Sequence, residues 1–278
     1  MKKKNRQTAV AVGMIVGGCA LFILCALLHQ TLSEPPAQTP TPQHQAPVFT
    51  PAPTPEPTPE PTPTPGPLIV IDPGHQLHGD DAQEPIGPGA EEMKARVTDG
   101  TAGVVTGIPE YELNLTVSLL LRDELEARGY RVALTREANE VSLSNAERAA
   151  IANELQAHAF IRIHANADED PSVHGVMTIC MTAQNPYNSA LYPSSRTLAE
   201  ALLQNLGDAV GCDETRRTLW ETDSMSGINY SLVPTCMVEM GYMSNPEEDL
   251  LLADDAYREQ IVIGLADGLD AWFAGQKE

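Results

Sequence analysis

An α/β sheet with helices on its faces is the fold that residues 68–278 predict, and two observations predict it. Five short runs of β-branched and other apolar residues recur along this stretch, and segments of helical length and pattern fall between them. The stretch has the size of one ordinary domain. What precedes it, an uncharged apolar run and then a proline-rich segment, has the composition of neither strand nor helix of a globular core.

Taken in order, residues 1–7 form a short basic tail carrying Lys2, Lys3, Lys4 and Arg6. The run TAVAVGMIVGGCALFILCALL (8–28) follows. About 20 apolar residues at ~1.5 Å each cross a ~30 Å hydrocarbon core, so 8–29 reads as a membrane anchor. Basic residues before the run and none just after it place the N-terminus in the cytoplasm and the remainder outside the cell membrane, in a single pass. A cleaved signal peptide would have a shorter apolar region and a clean small-x-small site. Lipidation at Cys19 would need the apolar run to stop there, and it continues. Residues 30–67, densest at TPAPTPEPTPEPTPTPGP, read as an extended polyproline spacer, because proline at this density supports neither a sheet ladder nor a helix interior. At ~3.1 Å per residue such a spacer reaches about 100 Å.

Within 68–278 the expected strands are LIVID (68–72), YRVALT (130–135), AFIRIH (159–164), GVMTICM (175–181) and TCMVEM (235–240). Helices are expected near 110–128, 144–157, 189–210 and 254–274. Gly129 stops the first, and Ser144 with Glu147 has the spacing of a capping box for the second. Asn245-Pro246 followed by Glu247, Glu248 and Asp249 reads as a further helix start, with acids at the positive end of the dipole rather than a metal site.

Charge narrows the partners. All 38 acidic residues follow the anchor, while four of the 17 basic ones precede it, so the exported part is strongly anionic and suits neither nucleic acid nor an anionic lipid surface. Of five cysteines, three lie in the domain (Cys180, Cys212, Cys236), an odd number with no regular spacing. They form neither a disulfide framework nor a thiolate metal site, and Cys180 and Cys236 sit in apolar runs as buried thiols.

Four residues carry candidate chemistry. His75 follows an apolar strand and the turn Asp72-Pro73-Gly74, and His164 closes the strand AFIRIH. Ligands of open α/β sheets gather at such strand ends. Between Glu110 and Glu112, helix geometry favours Glu110, which shares a face with Leu113, Val117, Leu120, Leu121 and Leu125. A carboxylate on a buried face needs a partner, and a cation supplies one. Two imidazoles and a carboxylate suit a zinc ion that keeps a position for water. Glu239 stands inside an apolar strand, where it is a general base, a further zinc ligand, or half of an ion pair with Arg136 or Arg148. His78, His158 and His174 lack such settings and read as structural.

These motifs together resemble the zinc-dependent N-acetylmuramoyl-L-alanine amidases of the amidase-3 type. The matching stretches are IDPGH, Glu110 with Asn114 four residues on, LTR ending at Arg136, ERAAIAN (147–153), RIHAN with His164, and EMGYMSN with Glu239. The resemblance covers 68–275 in order. It implies a single domain with a mixed, mostly parallel twisted sheet flanked by helices on both faces, and Zn2+ held by His75, Glu110 and His164 with Glu239 catalytic. The implied substrate is peptidoglycan, cut between the lactyl group of muramic acid and L-alanine, in the cell-wall space. A protein activator is left open, as are a zinc peptidase acting within the stem peptide and a non-catalytic wall-binding regulator. Two departures stand out. The connection 76–109 is long, a plain insertion or a gate, and Arg162 occupies the position where the resembling family usually has serine.

Overall fold

The computed structural model of the chain describes residues 65–276. The basic tail, the expected anchor 8–29 and nearly all of the spacer 30–67 lie outside the described residues. Among the described residues no helix is long and apolar enough to cross a membrane.

Along the chain the elements are β1 (Leu68–Pro73), β2 (Asp80–Pro85), β3 (Met93–Val97), α1 (Glu110–Ala127), β4 (Arg131–Leu134), α2 (Asn145–Glu154), β5 (Ala159–Asn166) and β6 (Val176–Cys180). There follow α3 (Tyr192–Ala209), β7 (Arg217–Glu221), α4 (Ser226–Asn229), β8 (Thr235–Tyr242), α5 (Pro246–Leu252) and α6 (Asp255–Gly275). Six strands make one sheet in the order β4-β1-β5-β8-β6-β7, and β2 pairs with β3 as a separate antiparallel hairpin. Neighbours from β4 to β8 run parallel. β6 then lies antiparallel to β8 and parallel to β7, so the sheet is mixed and mostly parallel, as expected.

Alternation along the central strands sorts side chains onto two faces. On β1 and β5, Ile69, Ile71, Ile161 and Ile163 join the larger core beneath α1, α3 and α6. Val70 and Phe160 point the other way and pack with Ala149 and Ala152 of α2. Both faces are therefore covered. Fully burying one aliphatic side chain such as Leu121 or Leu202 contributes about 1.5–3 kcal/mol.

The expected helix boundaries agree to within a few residues. Gly129 takes the left-handed conformation after α1 (φ +90°), the capping box of Ser144 and Glu147 is formed, and the Asn245 side chain accepts from the backbone N–H of Glu247 and Glu248. Cys180 and Cys236 are buried free thiols. One expectation on α1 fails: Leu120 is exposed, because it stands at the rim of a face centred on Glu110, Val117 and Leu121, which Asn114 and Ser118 also share. The connection 76–109 is not structureless. It forms the β2–β3 hairpin and a turn, the latter pinned where the Asp249 carboxylate accepts from Val105 N, Thr106 N and Thr106 Oγ1. The hairpin rests on α2 through Arg96, which pairs with Glu147 at 2.9 Å, and through Asn145 Nδ2, which donates to the Arg96 carbonyl.

Candidate active site

The four residues singled out converge at the carboxyl ends of the central strands. His75 follows β1, Glu110 opens α1, His164 lies near the end of β5, and Glu239 stands beside it in register on β8. His75 adopts φ +58°, a left-handed conformation uncommon for a residue with a Cβ, though histidine enters it more readily than most. Gly74 lets the two histidines meet. A Cβ on it would lie 2.2 Å from His164 Cε1, so any side chain there would displace the imidazole.

Glu110 is the hub. Its Oε2 lies 3.1 Å from His75 Nε2 and its Oε1 lies 3.2 Å from His164 Nδ1. Thr101 N donates to Oε2, and Ala165 N and Asn114 Nδ2 donate to Oε1. Burial alone would raise the pKa of this carboxyl; the hydrogen bonds from His164 and His75 and their positive character override it and hold Glu110 well below the carboxylate range. Burial pushes His164 down to about 4, against the pull of Glu110, so its imidazole is neutral at physiological pH. Glu112, the competing acid, is exposed.

These donors fit a divalent metal. His75 Nδ1 faces the Thr98 carbonyl at 2.8 Å, and because a carbonyl only accepts, Nδ1 carries the proton. In the neutral ring Nε2 is then a lone pair facing a carboxylate, an arrangement that a proton or a metal cation between them resolves. His75, Glu110 and His164 offer ligand atoms within 4.8 Å of one another, the one such group of three among the described residues. The edges of 3.1 and 3.2 Å match the ~3.3 Å between ligands of a tetrahedral zinc with bonds of ~2.0–2.1 Å. Two imidazole nitrogens and one carboxylate oxygen are also a donor set that zinc accepts.

Glu239 stands outside this trio. Its Oε2 is buried with no hydrogen-bond partner, and burial, followed by the negative charge of Glu110, raises its carboxyl well above the ordinary range, with Arg162 opposing. The ion pair with Arg136 or Arg148 does not form. Arg148 pairs with Asp72 at 2.8 Å, while Arg136 donates to the carbonyls of Pro73, Gly74 and Tyr111. Two clefts, of about 480 and 210 Å³, open on either side, and His75, Thr98, His164 and Glu239 line both. The hairpin supplies Lys94, Ala95 and Val97 to the smaller one, so the long connection walls the site and leaves it open.

His158 and His174 do not join the group of three. His158 Nδ1 accepts from Leu68 N, and His174 Nδ1 lies 2.7 Å from the Ser172 carbonyl. Thr98, which orients His75, was not visible in the sequence. It contributes a backbone carbonyl, and no side-chain pattern marks a carbonyl.

Comparison with known proteins agrees with this geometry. Residues 69–271 match the family model described as N-acetylmuramoyl-L-alanine amidase. The chain is similar to the N-acetylmuramoyl-L-alanine amidase Rv3717 of Mycobacterium tuberculosis, 29% identical over 76% of this chain and 88% of that protein. It is similar also to LytC of Bacillus subtilis, 28% identical over 75% of this chain, but it spans only 36% of LytC's length. Among solved structures, the amidase Ami1 of Mycobacterium smegmatis superposes with a TM-score of 0.68 at 27% identity, over 76% of this chain and 98% of Ami1. A family match across nearly all of the folded domain, with the ligand geometry in place, means that this chain belongs to the amidase-3 family of N-acetylmuramoyl-L-alanine amidases.

Proposed function

We propose that the protein is a zinc-dependent peptidoglycan amidase that hydrolyses the bond between the lactyl carbonyl of N-acetylmuramic acid and the L-alanine nitrogen. The observation that carries this reading is the convergence of His75, Glu110 and His164 beside an unpartnered Glu239 carboxylate oxygen. Those three residues would hold the zinc. When bound, it supplies a Lewis acid that makes water nucleophilic near neutral pH and polarises the scissile carbonyl.

The protein's own groups do the rest. Asn114, Thr101 and Ala165 fix the Glu110 carboxylate through hydrogen bonds, and Thr98 fixes the His75 ring, so the ligands meet substrate already oriented. Glu239 Oε2 has no competing donor and is placed to take a proton from the attacking water. The water oxygen bonds to the carbonyl carbon, the carbon–nitrogen bond breaks, and Glu239 returns the proton to the departing amine. The products are a peptide with a free L-alanine amine and a glycan bearing the lactyl carboxylate.

The reading extends to location. The basic tail, the apolar run and the proline-rich spacer support a single-pass membrane protein whose catalytic domain works in the cell-wall space. Mass spectrometry of purified peptidoglycan digested by the protein tests the chemistry, with zinc, with chelator and with Glu239→Ala. New free L-alanine amines that vanish in both controls are expected. Cuts within the stem peptide would instead make it a zinc peptidase, and no cuts by folded, zinc-loaded protein would make it a regulator.

A further inference from the structure

Behind the hydrolytic site lies a cluster of charges that the hydrolysis itself does not use. Asp72 on β1 is fully buried and accepts from Arg148 Nη1 (2.8 Å), Arg162 Nε (2.8 Å) and Thr135 Oγ1 (2.5 Å). One carboxylate thus serves two guanidinium groups. A third, Arg136, is also buried and donates only to neutral oxygens, those of Pro73, Gly74, Tyr111, Ala138 and Asn139. Three cations thus stand around one fully buried carboxylate, with Glu239 the next anion near Arg162, in a space where unbalanced charge is costly.

Arg162 is the member placed to use that excess. Asp72 holds its Nε and Asn145 Oδ1 holds its Nη2 at 2.7 Å, while none of the hydrogen bonds among the described residues involves Nη1. Gly227 makes room for that nitrogen, since a Cβ on it would lie 2.3 Å away. Arg162 lines the 210 Å³ cleft together with His75, His164 and Glu239. Across the cleft stands Lys94 of β3, whose ammonium donates to the Ser224 carbonyl at 2.8 Å. Burial, and then the nearness of Arg162, lowers the pKa of Lys94. In a chain of net charge −21, two cations facing one cleft beside the base are a local reversal of sign.

We infer that Arg162 and Lys94 form a subsite for a carboxylate of the stem peptide, which holds the substrate by its leaving-amine side. The inference rests on the amidase reading above. A guanidinium whose other nitrogens are already fixed presents its remaining N–H groups in a set direction, which suits a planar carboxylate. The lactyl carboxyl is consumed in the scissile amide, so the anion must come from the peptide. Two sources lie along the peptide before its C-terminal carboxylate: the free α-carboxylate of a γ-linked second residue, and the spare carboxylate of a diamino diacid at the third.

Three synthetic muramoyl tetrapeptides, all amidated at the C-terminus, separate these sources: one with both remaining carboxylates free, one amidated at the second residue and one amidated at the third. With the full-length, zinc-loaded chain, kcat/KM is expected to favour the free acid over one of the two amides, and that amide identifies the carboxylate. R162S should shrink the preference about 10- to 100-fold, mainly through KM, with K94Q shrinking it by a smaller factor. Calorimetry with the released tetrapeptide should show weaker binding to both variants. An equal loss on all three substrates, with a shifted acid limb of the pH profile, would mean that Arg162 acts through Glu239 and would overturn the subsite. Unchanged ratios in both variants would overturn it as well. K94Q alters an outer hairpin and decides the matter even if R162S fails to fold. Failure of the wild type to cut any of the three would remove the amidase reading itself, whereas cleavage with unaltered ratios removes only the subsite.

Discussion

Asn114 is fully buried, and its Nδ2 donates both to Glu110 Oε1 and to the Gly74 carbonyl, so one amide ties the hub carboxylate to the turn that carries His75. Asn114→Ala should weaken zinc binding about 10- to 100-fold, read by competition with a chromophoric chelator, while the far-ultraviolet spectrum stays unchanged. On the proposed reading Glu239 belongs to the chemistry and not to the ligand set. Glu239→Gln should leave the zinc content at one per chain and cut kcat by about 10²- to 10⁴-fold. The pH profile follows from the same carboxyl. Burial, and then Glu110, raises its pKa, and a base works only when ionised, so activity is lost as pH falls through that raised value. The acid limb of kcat should therefore lie above the ordinary ~4.3 of a glutamate. A zinc ion close by favours the ionised form, so the limb should lie below the Glu239 pKa found by NMR titration of the metal-free protein.

Asp72 joins four elements. It is the point where β1, α2 through Arg148, β5 through Arg162 and the end of β4 through Thr135 are held to one carboxylate. Burial would raise its pKa, but Arg148, Arg162 and the Thr135 hydroxyl lower it far more. Its stabilisation is thus complete above the unfolded value near ~3.9 and persists into strong acid, so acid unfolding should begin elsewhere. Asp72→Asn leaves two guanidinium groups without a counterion and should cost about 3–5 kcal/mol, measured by denaturant unfolding at neutral pH. The elements legible in the sequence share a physical cause. β1, β5 and β8 are buried on both faces and read as continuous apolar runs, and the helices between them announce themselves by caps such as Ser144 and Asn245. β2, β3 and β7 were not legible. β2 is DDAQEP with mostly exposed side chains, and β7 is RTLWE, whose Arg217 and Glu221 are satisfied by Asp208 and Arg196 rather than by an apolar core. Likewise His75, Glu110, His164 and Glu239 could be named from local settings. The charge cluster around Asp72 could not, because it depends on Arg148 and Arg162 from separate elements meeting one aspartate, with Arg136 close by.

At the scale of the whole molecule, the catalytic apparatus and the N-terminal 67 residues are separable in composition and, on the proposed reading, in task. Removing residues 1–64 should leave turnover of a soluble muramoyl peptide within about twofold and move the protein from the membrane to the soluble fraction on ultracentrifugation. The order of the site residues along the chain has its own consequence. His75, Glu110 and His164 belong to neighbouring elements of the first half of the domain, whereas Glu239 arrives on β8, the last strand in sequence and one seated in the middle of the sheet between β5 and β6. With the roles proposed above, a chain still emerging, or cut short before residue 235, owns every ligand and no base. Pairings between distant segments are also the slow part of folding. On that reading the enzyme is silent through its own synthesis: it acquires the power to cut only when β8 completes the site.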